Sequence, residues 1–312
     1  MEKNMLPKIS IYQQRDFGAK ITATFEFIRE NWKPLLKYVT AFTLPVSIVQ
    51  SFCMNMYLQS GALDLAGTVD TSTGSVVAAA IYYIFTMICS VVGALVVYSL
   101  FYAMLAAYER REERLQGITW SELSPDFFRF LRRGFVLMLF ICFVVIAYCV
   151  VAAMLAFITP YTLILTMLFL LVCCVPLVIV YPAYLLDDSR RGLWNTFVWS
   201  MRQGFRFWGS TFLVMLVCYL LTSIVSGVCA LPWYGVYIVR LIVGVSAEGV
   251  VSLADGNTFL NVLQFLLGVV MLCGTYLSSV VVMLGMTYQY GHIREKVDAV
   301  TVDKDIEHFD EL

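Results

Sequence analysis

The side chains best suited to binding anions lie in a short stretch between two long apolar runs, DDSRRGLWNTFVWSMRQGFRFWG (residues 187–209), which holds four arginines and three tryptophans. Guanidinium groups bind phosphate or carboxylate through parallel hydrogen bonds, and tryptophan prefers the level of lipid headgroups. The predicted chemistry is therefore contact with lipid headgroups or with a partner. The candidate residues are Arg190, Arg191, Trp194, Arg202, Arg206 and Trp208, together with Arg129, Arg132, Arg133 and Trp32 in two similar segments.

No arrangement typical of catalysis accompanies these residues. The sequence has no HExxH motif, no glycine-rich phosphate loop and no Ser/His/Asp set, and both histidines lie near its C-terminus. Most cysteines lie inside apolar runs without metal-ligand spacing, and only Cys53 and Cys229 fall near one face where a disulfide could form. We therefore predict no enzymatic activity, no metal, no cofactor and no nucleic-acid partner.

The basic stretch lies between two apolar runs, so membrane spans on either side must position it. Hydrophobic residues make up 60% of the chain and charged residues 14%, a composition that excludes most soluble folds. A helix needs about 20 apolar residues to cross about 30 Å of hydrocarbon. We predict an all-α integral membrane protein with six transmembrane helices. The predicted spans are residues 35–58, 76–108, 134–157, 161–186, 207–230 and 259–289.

Lysine and arginine are concentrated in alternate connections. They are dense before the first span, between the second and third, between the fourth and fifth, and after the sixth. The other three connections, residues 59–75, 158–160 and 231–258, contain a single basic residue, Arg240. Because cationic loops stay on the cytoplasmic side, we predict a multi-pass protein of the bacterial inner (plasma) membrane with both termini cytoplasmic.

Amphipathic segments precede the first, third and fifth spans. In each, apolar residues recur at spacings of three and four beside basic residues, which is typical of a helix lying on the membrane surface. Lys20 is predicted to lie opposite the first apolar stripe, and Thr119 with Glu122 is a predicted capping box for the second helix. The stripes are Phe17, Ile21, Phe25, Ile28 and Trp32, then Phe127, Phe128 and Leu131, then Leu193, Phe197, Met201 and Phe205.

The chain is predicted to be a single polytopic membrane domain (residues 1–312) built from three repeats of a surface helix and two spans. Unit one covers residues 1–115, unit two residues 116–186 and unit three residues 187–290, and an acidic cytoplasmic tail follows at residues 291–312. A second interpretation stays open, in which the three segments are ordinary cytoplasmic flanks and not copies of a repeat. Any protein with an even number of spans has aromatic and basic cytoplasmic flanks.

The sequence also predicts the structure of three segments at or between the ends of the spans. The second helix is predicted to project beyond the membrane as far as Gly117, and residues 234–245 to form a separate outer interfacial or re-entrant helix. Within that segment Arg240 is interpreted as a snorkelling or Glu248-paired residue. Pro182, just before Asp187 and Asp188, is predicted to kink the fourth span and aim the chain into the third surface helix.

Polar side chains near the centres of the spans are hydroxyls and amides, including Gln50, Ser90, Tyr276 and Ser278. They are predicted to form hydrogen bonds between helices. Transporters of ions or protons usually place an ionisable group there, and these spans have none. A transporter or flippase for a lipid or apolar solute therefore stays open as an alternative function.

Three stretches resemble the six-span bacterial membrane proteins related to the glycerophosphoryl diester phosphodiesterase membrane domain. FGAKITATFEFIRENWKPLLKY resembles the N-terminal surface helix of that group, and TYQYGHIREK resembles its ending, with Arg294. The resemblance extends over residues 16–296. The third stretch is YPAYLLDDSRRGLWNTFVWSMRQGFRFWG. Its matching positions are Asp188, Gly192, Leu193, Ser200, Gly204 and Trp208.

The chain is most similar to uncharacterised standalone members of that group from Bacteroidetes-type bacteria. The phosphodiesterase activity in the group's name belongs to a separate barrel domain of about 250 residues, for which this chain has no room. The resemblance therefore implies a fold without implying that activity. We expect a non-enzymatic protein that organises the membrane or envelope through lipid headgroups or a possible membrane-protein partner.

Overall fold

The computed structural model describes residues 8–59, 73–159, 161–186, 192–248 and 258–299, and all regular structure within them is helical. All helices in these ranges except α5 are long and apolar enough to cross a membrane. Apart from residues 161 and 207, which lie one position before a helix, each predicted span falls within one of these six helices; this confirms the all-helical prediction with six helices able to span a membrane. The helices are α1 (Phe17–Gln59), α2 (Thr73–Arg110), α3 (Trp120–Ile158), α4 (Thr162–Leu186), α5 (Leu193–Arg206), α6 (Trp208–Glu248) and α7 (Thr258–Asp298).

The first two predicted surface helices share an element with the spans that follow them, but a kink at Asn31 separates the first from its span. α1 contains both, with non-helical backbone only at Asn31 (φ −114°, ψ 19°). Pro34 cannot donate to the Glu30 carbonyl, and the Asn31 side chain donates to the Phe27 carbonyl at 3.1 Å, so the helical hydrogen-bond ladder is weakened there. α3 likewise contains the second surface segment and the third span. Only the third surface helix, α5, is a separate element.

α2 ends at Arg110, so the prediction that it continues to Gly117 is wrong. The chain turns instead, and both Arg114 (φ 61°) and Gly117 (φ 66°) adopt left-handed backbone. Ion pairs fix the turn, because Arg110 pairs with Asp126 and Arg114 with Glu30. Arg114 is buried within the protein, whereas the Arg110 side chain stays 62% exposed.

The predicted capping box is only partly formed. α3 begins at Trp120, directly after Thr119, but the Thr119 side chain makes no capping hydrogen bond. The Glu122 carboxylate instead accepts a hydrogen bond from Arg111 Nη1 at 2.6 Å. An arginine within reach of the glutamate therefore takes the place of the expected backbone donor.

Residues 234–245 do not form a separate outer helix, because α6 runs without interruption to Glu248. Arg240 is buried and donates a hydrogen bond to Gln264 of α7. The interpretation of Arg240 as a snorkelling residue is therefore wrong. Its predicted pairing with Glu248 lies outside the described side chains.

Contacts divide the chain into two compact units. We call Met1–Pro34, Ser99–Leu220 and Val281–Leu312 the basic unit, and Leu35–Tyr98 with Leu221–Val280 the apolar unit. Of the 21 lysines and arginines, only Lys37 and Arg240 belong to the apolar unit. The predicted surface segments thus fall within one unit. The threefold repeat stays a prediction.

Part of the core of the basic unit is built from α4, α6 and α7. Its apolar cluster depends on close approach of helices, because a side chain at Gly285 would overlap the Cys218 thiol. Van der Waals packing between the helices supplies the stabilisation, because the lipid around a span is as apolar as these side chains. The cluster consists of Ile179, Ala183, Val214, Cys218, Val282, Met286, Tyr290 and Ile293.

Hydrogen bonds between polar side chains link the helices of the apolar unit, as predicted. The Tyr276 hydroxyl donates to Gln50 Oε1 at 2.8 Å, and Gln50 Nε2 donates to Ser90 Oγ at 2.9 Å. The hydroxyls of Ser226 and Ser278 lie 2.6 Å apart. All nine cysteines are free, so no disulfide joins Cys53 and Cys229.

Candidate lipid-contact site

α5 packs on the protein through a small and polar face. Its buried residues are Thr196, Ser200, Gln203 and Gly204. A Cβ atom at Gly204 would overlap both Cα and Cβ of Pro176 in α4, so the contact between the two helices requires glycine at this position. The apolar residues of α5 must therefore lie on its other sides.

The outer side of α5 is largely aromatic and aliphatic. Trp194 is 63% exposed, Val198 47% and Phe205 45%. Trp194 also packs edge-on against Phe140 of α3, with ring centroids 6.2 Å apart. A helix with small polar residues inside and apolar residues outside suits apolar surroundings, as a helix at the surface of a bilayer has.

The two described arginines of α5 are exposed. Arg206 lies over the ring of Phe207 at 5.6 Å, and Lys296 Nζ lies 5.4 Å from the centre of the same ring. Among the described residues, no carboxylate forms an ion pair with Arg202 or Arg206. These guanidinium groups keep their donors available for an anion.

The basic segment of α3 divides into outward and inward side chains. Arg129 and Arg132 are exposed next to Phe128, which is also exposed. Arg133 instead donates to the Tyr184 carbonyl, and its guanidinium lies over the Tyr184 ring at 5.1 Å. Arg133 therefore joins α3 to α4 within the protein.

The two remaining described tryptophans of the candidate set differ in environment. Trp208 Nε1 donates to the Val172 carbonyl of α4 at 3.1 Å, and its ring stacks on Phe212 at 5.1 Å, so Trp208 positions helices. Trp32 is exposed, with Lys33 Nζ 5.8 Å from its ring centre. The pair of Trp32 and Lys33 thus resembles the pair of Phe207 and Arg206 at the end of α5.

Of the candidate structural residues, Pro182 is buried in α4, which continues past it to Leu186. The proline that contacts α5 is Pro176, one turn and a half earlier. Four predicted residues lie outside the described part of the chain. They are Asp187, Asp188, Arg190 and Arg191.

No family model, curated protein or solved structure matches the chain. The resemblance to the membrane domain of six-span proteins therefore stays an expectation. The structure does give a physical reason for three of its positions. Ser200 and Gly204 lie on the buried face of α5, and Trp208 hydrogen-bonds α4.

Lys20, predicted to lie opposite the apolar stripe of the first surface helix, is buried against the protein. Its side chain is 2% exposed, and the buried face of α1 continues through Thr24, Phe27 and Asn31. Lys20 Nζ donates to Gln289 Oε1 of α7 at 2.8 Å. The helical spacing of Lys20, Thr24, Phe27 and Asn31 indicates this face in the sequence. The aromatic stripe beside it contains more large apolar residues and is therefore the stronger pattern.

Proposed function

We propose that this chain is a non-enzymatic, polytopic protein of the bacterial inner membrane that organises the membrane or envelope through its surface helices. These helices contact lipid headgroups or a membrane-protein partner. The observation that carries the proposal is α5, which is fixed through a small polar face and presents exposed aromatic residues beside Arg202 and Arg206. Exposed apolar side chains favour acyl chains, and arginines next to them reach the phosphates above.

The charge distribution supports placing this surface at the cytoplasmic leaflet. Basic residues are dense in the connections next to the surface segments and almost missing from the alternate ones. The cytoplasmic leaflet carries anionic lipids that attract such residues. Arg129, Arg132 and Trp32 extend the same contact over the other two surface segments, with both termini in the cytoplasm.

Lipid analysis of the protein purified in mild detergent tests this proposal. We expect anionic phospholipid to be retained at a higher ratio to neutral phospholipid than in the parent membrane, because the exposed guanidinium groups select phosphate-rich, negatively charged surfaces. Mass spectrometry of the extracted lipids measures the ratio, and a copurifying protein would identify a partner. Retention in the same ratio as the membrane, without any partner, would contradict the proposal.

One observation favours the alternative of a transporter or flippase. In the apolar unit, buried hydroxyl and amide groups recur at four-residue intervals on α1, at Thr43, Ser47, Ser51 and Asn55. Within the described part of the chain, oxygens of Thr43, Ser47 and Asn55 have no hydrogen-bond partner. A continuous polar stripe through a span could guide a headgroup across the bilayer.

Exchange of a fluorescent phospholipid between the leaflets of proteoliposomes distinguishes the two functions. Exchange above the rate in protein-free vesicles would favour the flippase. No exchange, together with selective retention of anionic lipid, would favour membrane organisation.

A further inference from the structure

Lys20 is a buried cation with too few acceptors. Its ammonium group can donate three hydrogen bonds, and Gln289 Oε1 is the one acceptor among the described residues. Gln289 is itself fully buried, and its Nε2 is directed to Thr211 Oγ1 at 3.0 Å and to Ser210 Oγ at 3.4 Å. The amide is thus held with its oxygen towards Lys20, and two ammonium donors are left over.

The charges around Lys20 are mostly positive. The charged groups that act on it are Asp16, Lys296 and Arg15. Asp16 is the one carboxylate among them, and its Oδ1 accepts the Ala19 N–H at 2.8 Å and caps α1. Burying positive charge without a matching anion is costly, so this cluster favours an additional negative group.

A non-helical segment covers the cluster. We call residues 8–16 the strap. The Ile9 N–H donates to the Tyr108 hydroxyl at 3.3 Å, and the Arg15 N–H donates to His292 Nδ1 at 3.1 Å. The carbonyl of Ile11 lies so close to Gly291 that a Cβ atom there would overlap it. The strap is therefore seated on the ends of α2 and α7.

Two further donors, one on the strap and one on α7, are unused. The Tyr288 side chain is 1% exposed, and its hydroxyl has no partner among the described residues; the same holds for Arg15 Nη1. The Arg15 guanidinium lies over the Tyr288 ring at 5.1 Å. Burial lowers the pKa of Arg15 from its ordinary value, while Tyr288 and Glu26 raise it, which places this cation in a desolvated environment.

We propose that Lys20, Arg15 and Tyr288 form a binding site for a phosphate group, with Arg15 supplied by the strap. Phosphate oxygens accept hydrogen bonds and carry the negative charge that this cluster of donors and cations requires. The phosphate belongs either to an anionic phospholipid headgroup or to free inorganic phosphate. The proposal is independent of the proposed function, because Lys20 and Tyr288 are buried and none of the three residues belongs to α5.

The test compares wild type with Lys20→Met and with a control, Lys33→Met, which removes an exposed lysine of the same helix. The melting temperature of the full chain in detergent is measured without ligand, with inorganic phosphate, with phosphatidic acid and with phosphatidylcholine. We expect phosphatidic acid or phosphate to raise Tm in wild type and in Lys33→Met. A response to phosphatidic acid alone identifies a lipid site, and a response to both identifies a site for the free anion.

Lys20→Met is expected to melt close to the wild-type temperature without ligand, because it removes a buried charge but also leaves Gln289 Oε1 without its donor. It should lose the rise in Tm, with an apparent affinity about 10-fold to 100-fold weaker, as expected for a hydrogen bond to a charged group. A lower Tm without ligand together with an unchanged rise would show that Lys20 is structural. No rise in wild type with either probe would also overturn the proposal.

Tyr288→Phe decides the question if Lys20→Met does not fold. It removes only the unused hydroxyl and keeps the ring under Arg15. We expect a folded protein with a smaller ligand-induced rise in Tm, and an unchanged rise would count against the site. A variant of Arg202 and Arg206 should keep the rise, so failure of this proposal is distinguishable from failure of the proposed function.

Discussion

Reversing both exposed arginines of α5, by Arg202→Glu with Arg206→Glu, is expected to reduce the selective retention of anionic lipid by about 100-fold or more. Each basic residue near an anionic surface contributes about 1 kcal/mol, so removing two attractions and adding two repulsions changes the free energy by about 4 kcal/mol. The measurement is the ratio of phosphatidylglycerol to phosphatidylcholine retained by the protein from mixed nanodiscs, determined by mass spectrometry at low salt.

Two controls accompany this variant. Arg202→Lys with Arg206→Lys keeps the charge and should keep most of the lipid selectivity, because the attraction to a charged surface does not require the guanidinium shape. The charge-reversed protein should also melt close to wild type, since neither arginine forms an ion pair among the described residues. An unchanged lipid ratio after charge reversal would exclude α5 as the lipid-selective surface.

Gly204→Ala is expected to destabilise the protein by about 1–3 kcal/mol, the usual cost of overpacking a tight contact. The added methyl group would overlap Cα and Cβ of Pro176, and backbone cannot rotate away as a flexible side chain can. α5 should then separate from α4, so the lipid selectivity should fall as well. Thermal unfolding and the lipid ratio measure the two effects.

Gly227→Ala is the matched control for this substitution. Gly227 lies within α6, and a Cβ atom there would have no neighbour within 4 Å. Replacing glycine by alanine in an open helical position normally stabilises the helix by up to about 1 kcal/mol. If both alanine variants melt alike, the contact between Gly204 and Pro176 does not hold α5 in place.

Composition and apolar run length predicted the six spans because the thickness of the bilayer sets a minimum length that the sequence either meets or does not. Where helices end was less predictable. The end of α2 at Arg110 depends on ion pairs to Glu30 and Asp126, which come from distant parts of the chain. The uninterrupted α6 brings Arg240 to Gln264 in α7, and a local pattern cannot show that contact either.

The candidate site was predicted in part. Exposed positions such as Trp194, Arg202 and Arg206 follow from the amphipathic pattern of α5. The sequence could not show that Trp208 and Arg133 hold neighbouring helices, because their acceptors are backbone carbonyls of α4. It also could not show that Lys20 is buried, because its hydrogen-bond acceptor, Gln289, lies far along the chain in α7.

Photo-crosslinking from position 198 tests the contact of α5 with lipid most directly. Val198 is exposed on the outer side of α5 and is replaced by a photoreactive phenylalanine analogue, with the same replacement of exposed Gln116 in the polar turn after α2 as the control. After irradiation in native membranes, we predict adducts with the mass of a phospholipid at position 198 and none at position 116. A protein adduct at position 198 would indicate a partner at this surface, and no adduct of either kind there would contradict the proposed function.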